Sequence, residues 1–105
     1  MDSKFDRYKE LLNQIQKYLE RYSEKEWSNR LMEWINQLNN LTDSESKKHL
    51  IRTQKGLSGM GSIGDILLCP ENGHSISVDK AEIDSANDIL KKFVSDLYIE
   101  IEKLI

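Results

Sequence analysis

Apolar residues recur at intervals of three and four through most of this chain. That spacing constrains the fold more than any other feature, because only an α-helix gathers such positions onto one side. Phe5, Tyr8, Leu11, Leu12, Ile15, Tyr18, Leu19 and Tyr22 make a first stripe, and Trp27, Leu31, Trp34, Ile35, Leu38 and Leu41 a second. The two tryptophans fall two turns apart on one face, where core packing is the expected role. Ile83, Ala86, Leu90, Phe93, Val94, Leu97, Ile101 and Leu104 form the longest stripe, about six turns at 3.6 residues each. Between the second and last stripes, His49, Leu50, Ile51 and Arg52 sit on a shorter, basic segment, with His49 expected in solvent.

Sequence signals also place the helix boundaries. Ser23 with Glu26, and Thr42 with Glu45, have the spacing of a capping box, in which hydroxyl and carboxylate each satisfy an orphan amide of the first turn. Asp79 with Glu82 marks the start of the last helix, and the third is expected to stop before Gly56. Four of the five glycines fall between Gly56 and Gly64, which argues for a loop. Asp65 to Cys69 then reads as a brief strand, Pro70-Glu71-Asn72-Gly73 as a turn, and His74 to Val78 as the returning strand. The expected architecture is mainly α: a four-helix single domain over residues 1–105, with a Gly-rich loop and a short β-hairpin before the last helix.

Composition narrows the function classes. At 105 residues there is room for one modest core. Fifteen Lys and Arg against 18 Asp and Glu give a net charge of −3, so nucleic acid is not an expected partner, since binding it takes clustered cations. Cys69 is the only cysteine, which excludes an intrachain disulfide and fits a reducing compartment. No apolar run reads as a secretory signal or a membrane span, so no membrane is expected as a partner and a cytoplasmic location is.

Several patterns invite chemistry and then fail its requirements. Gly59-Met60-Gly61-Ser62-Ile63-Gly64 satisfies G-x-G-x-x-G, but a dinucleotide site needs a strand before the glycines and a helix after, and here the order is reversed. Gly64 is followed by Asp65, where a P-loop needs lysine. Ser62 lacks the glycine two residues before it that a nucleophile elbow requires. Cys69 and His74 straddle the turn and could form a thiolate–imidazole pair, although a lone Cys in an apolar run is more often a small buried hydrophobe. Two histidines 25 residues apart do not make a metal set, and no metal or small-molecule cofactor is expected.

Charge is divided unevenly. Residues 1–55 hold eleven cations and nine anions, residues 56–105 four and nine. The acidic second half is open to two readings, an ordinary solvated helix surface or a negative field that steers a basic partner.

The run from Ser58 to Leu68, Ser-Gly-Met-Gly-Ser-Ile-Gly-Asp-Ile-Leu-Leu, is followed by Asn72-Gly73-His74 and a closing amphipathic helix. It resembles small bacterial helical proteins with a Gly-Met-Gly-Ser signature and an Asp three residues later, some of them immunity proteins of contact-dependent growth inhibition and related polymorphic toxin systems. The resemblance covers residues 58 to about 74. It implies a non-enzymatic protein that binds a cognate toxin, expected to be a basic nuclease domain, and neutralises it by steric and electrostatic occlusion, with Asp65, Glu71, Asp79, Asp84 and Asp88 supplying charge and Tyr98 an aromatic anchor. Gly59, Met60, Gly61 and Ser62 are read as a structural loop, Met60 plugging the core and Ser62 with Asp65 bracing the glycines. The competing expectations are a small cytosolic regulatory or scaffolding module, and a small hydrolase using Ser62 or Cys69 with His74.

Overall fold

The computed structural model describes residues 3–57 and 63–105. Among them are four α-helices: α1 (Asp6–Arg21), α2 (Lys25–Leu38), α3 (Asp43–Leu57) and α4 (Lys80–Leu104). Two 3-10 turns, Ile63–Asp65 and Pro70–Asn72, lie between α3 and α4. None of these helices is long and apolar enough to cross a membrane.

The predicted stripes become the core. α1 packs against both α2 and α4. Leu11, Leu12, Ile15, Leu19, Leu31, Leu38, Leu90 and Leu97 are buried in one apolar cluster, each contributing about 1.5–3 kcal/mol through the surface it removes from water. Tyr18 bridges α1 and α4: its hydroxyl donates to the Ala86 carbonyl at 2.8 Å, and its ring meets Phe93 edge-on at 5.5 Å between centroids. Trp27 is buried and Trp34 half-buried, their rings 6.0 Å apart and nearly perpendicular.

The helix starts were read correctly at two of three places. Thr42 and Glu45 form the reciprocal box, Thr42 Oγ1 accepting from the Glu45 amide and Glu45 Oε1 from the Thr42 amide, both at 3.2 Å. Asp79 Oδ1 accepts from the Ala81 amide at 3.2 Å. Ser23, however, does not cap α2. It sits at φ +59° as the left-handed residue that ends α1, its amide donating to Glu20 O at 3.1 Å and the Glu24 amide to Leu19 O at 2.9 Å. This pair of bonds is a Schellman closure, for which glycine is the usual residue. Glu24 takes over the cap, Oε2 accepting from the Trp27 amide at 2.8 Å. α3 also runs past the expected stop, through Gly56 to Leu57.

The expected β-hairpin is not formed: no strand occurs among the described residues. The reason lies in what the backbone groups of this segment bond to. The side-chain amide of Asn87, buried on α4, accepts from the Leu68 N–H at 2.8 Å and donates to the Leu68 carbonyl at 2.9 Å. One amide thus takes both groups that a partner strand would have paired. Ser75, on the expected return strand, donates its N–H to Tyr22 O at 2.9 Å instead of crossing to the first.

α3 meets α2 through a polar seam. His49 is not solvated, as its neighbours in sequence suggest, but 1 % exposed. Its Nε2 lies 2.7 Å from Gln37 Oε1, and Gln37 Nε2 donates to Glu33 Oε1 at 3.4 Å. That orientation of the amide puts the ring proton on Nε2. Burial, reinforced by Arg52, holds the imidazole pKa below its ordinary range.

Candidate functional site

The turn that ends α1 and starts α2 faces the Ile63–His74 segment across a cleft of about 380 Å³. Its lining is Glu24, Glu26, Trp27, Asp65, Ile66, Leu67, Asn72 and His74. Among the described residues it contains three carboxylates and neither lysine nor arginine.

Each wall is fixed by identifiable bonds. On the α2 side, capping orients Glu24, and Arg30 lies over the ring of Trp27, Cζ 4.5 Å from the ring centroid, with Nη2 3.4 Å from Glu26 Oε1. On the other side, Gly73 at φ +80° closes the Pro70–Asn72 turn, a conformation that suits glycine. Asn72 Nδ2 donates to the Leu67 carbonyl at 3.0 Å. Cys69 and His74 are joined twice: the Cys69 amide donates to His74 Nδ1 at 3.1 Å, and the His74 amide to Cys69 O at 3.3 Å. Ser75 then ties the segment to the opposite wall through its hydroxyl, 2.7 Å from that of Ser23.

This geometry answers the expected thiolate–imidazole pair. Cys69 and His74 do meet across the turn, but the imidazole nitrogen is occupied by the backbone amide of Cys69, and Cys69 itself is buried. His74 Nε2 points instead toward Glu24 Oε1, 4.0 Å away. No cluster of three or more His, Cys, Asp or Glu among the described residues is arranged to hold a metal ion. What the cleft offers chemically is a set of acceptors for a cation beside an apolar wall.

The other expected site residues are distributed more widely. Asp65 lines the cleft and Glu71 is exposed on the adjoining 3-10 turn. Asp79 is engaged as the α4 cap, and Asp84 and Asp88 are exposed on α4. Asp88 borders a separate groove with Ile89, Lys92, Phe93 and Asp96. Tyr98 is half-buried against the core, lining a third groove with Ile63, Ile66, Leu90 and Val94. Gly59, Met60, Gly61 and Ser62 lie outside the described residues. Sequence reasoning missed Glu24, Glu26 and Trp27, because they belong to the half whose net charge is positive and meet Asp65 only through folding. No known protein family, curated protein or solved structure matches the chain.

Proposed function

We propose that this chain is an immunity protein, which binds a cognate bacterial toxin and neutralises it by steric and electrostatic occlusion. The observation that carries this reading is the cleft, where Glu24, Glu26 and Asp65 converge and the described lining residues include no lysine or arginine. A nuclease domain is the toxin class that complements it, since a surface built to hold phosphates is cationic. The mechanism needs no bond-making by this chain: an anionic surface accelerates encounter, and the bulk of the helices covers the toxin's substrate path.

Co-expression with the product of a neighbouring gene that proves toxic on its own tests the reading. Growth should be restored, and the purified pair should associate more slowly as salt is raised, because the steering field is screened within about 8–10 Å at 0.1–0.15 M. Unrestored growth, or a complex whose association rate ignores salt, would reject it.

A further inference from the structure

α4 carries a second row of residues besides the one that it lays on the core. Its buried positions, from Ala86 through Leu90, Val94 and Leu97 to Leu104, keep to one side, where the helix packs chiefly on α1 and the Ile63–Asp65 turn. Turned away from them, Ser85, Ile89, Lys92, Asp96, Ile99 and Lys103 follow at intervals of four and three, the spacing that keeps a row along one helix face. Ile89 is 46 % and Ile99 52 % exposed, and Ile89 and Lys92 border a groove of about 480 Å³. No ion pair among the described residues uses Lys92 or Asp96.

This row is complementary to its own reverse. Counted from Val94, the isoleucines lie five residues to either side, and Lys92 and Asp96 two residues to either side. A second α4 laid antiparallel across the first, about a two-fold axis at Val94, therefore sets Ile89 on Ile99 of the second copy and Lys92 on its Asp96, and symmetry repeats both pairs. At the ends Lys103, nine residues out, falls opposite Ser85. A parallel partner in register would instead face lysine with lysine and aspartate with aspartate. Apolar and charged positions thus select one occupant, another copy of this chain, and one direction.

We propose that the outer face of α4 is a homodimer interface, two copies packing antiparallel about a two-fold axis at Val94. Burial of Ile89 and Ile99 from both copies supplies the attraction, and the two Lys92–Asp96 pairs set direction and register. One helix face per chain is a small contact, under about 1,200 Å² in total, so the dimer is weak and forms at high protein concentration. It uses none of the cleft residues and holds whether or not the chain neutralises a toxin.

Sedimentation equilibrium of the full chain, over a concentration series reaching about 1 mM, tests it. The wild type is expected to pass from monomer to dimer. Lys92→Asp and Asp96→Lys, each alone, bring like charges together twice per dimer and should weaken association about tenfold or more. One chain carrying both substitutions regains opposite charges across the axis and should return to within about threefold of wild type, as should an equal mixture of the two single variants. A charge variant that merely folds poorly lowers the unfolding midpoint, and the register is then read by cross-linking. Under mild oxidation, chains with Ile89→Cys mixed with chains with Ile99→Cys should yield the mixed disulfide in preference to either self-linked dimer, Cys69 being buried. A wild type that stays monomeric throughout, a double variant no better associated than the single ones, or self-linked dimers in excess of the mixed one overturns the proposal.

Discussion

Between α1 and α4 the contacts are mainly apolar and extend over several turns, whereas the backbone of the Ile66–Ser75 segment is hydrogen-bonded to α4 through one amide side chain. Leu12, Ile15 and Leu19 meet Leu90, Val94 and Leu97 in a shared cluster where every side chain contributes and none is unique. Asn87, by contrast, bonds through its side chain to both the N–H and the C=O of Leu68, and with His74 and Asn72 it decides the path of a segment that would otherwise read as strand. Burial of apolar area is redundant and tolerant of detail, while a hydrogen bond is directional and depends on one pair of atoms. The cleft is built where these two kinds of order meet, on a rigid helix start and a hydrogen-bonded connection.

The comparison can be broken from either side. The largest effect is expected in the helical seam: Leu97→Ala, at a position fully removed from solvent, should cost about 2–5 kcal/mol in a denaturant titration, with the whole molecule unfolding earlier. Asn87→Leu should cost less, about 1–3 kcal/mol, by stranding the Leu68 N–H and carbonyl in the interior. Hydrogen exchange separates the two cases. Asn87→Leu should lose protection at Leu68, Cys69 and His74 well before α1 does, and uniform loss would deny the segment its separate character.

The α2–α3 seam is expected to respond to acid. The folded-state pKa of His49 lies below that of the free imidazole, about 6.5. The unfolded chain therefore takes up the proton first, and the contribution of neutral His49 is complete above that pH and is lost as pH falls through the folded-state value. Unfolding free energy should decline across that interval, and His49→Gln, which has no proton to gain there, should flatten that part of the profile. The smallest effect is at a surface cap: Thr42→Ala should cost about 1 kcal/mol, read as a shift in denaturation midpoint with an unchanged slope.

The helices were legible because their information is periodic. Eight apolar positions in the first stripe, six of them within α1, and eight in α4 repeat one instruction, so the mainly α class followed from the spacing alone. The boundary at Ser23 was misread because serine followed by Glu26 fits a cap, and the sequence does not announce that serine here occupies the left-handed position that ends α1. The hairpin failed for a related reason. Alternation and a Pro-Glu-Asn-Gly turn describe a segment able to pair with a strand, but cannot reveal that Asn87, nineteen residues from Leu68, supplies the pairing groups first. His49 was placed in solvent because its sequence neighbours are charged, while its burial depends on Trp34 and Gln37 of another helix.

The candidate site was legible only in part. Asp65 was selected from the acidic second half, and the Cys69–His74 turn was recognised as a place where two side chains could meet. Glu24 and Glu26 were hidden by counting charge along the chain, since their half carries more cations than anions.

The sequence by itself determined that this protein is built of amphipathic helices, with the last the longest, because hydrophobic periodicity acts locally and averages over many residues. The tertiary structure alone decided which polar groups come together: Asn87 with Leu68 and His49 with Gln37 within hydrogen-bonding distance, and Glu24 and Glu26 with Asp65 and His74 around one cleft. Such encounters join residues far apart in the chain and hold only over a few ångströms, so they come into being when the helices dock.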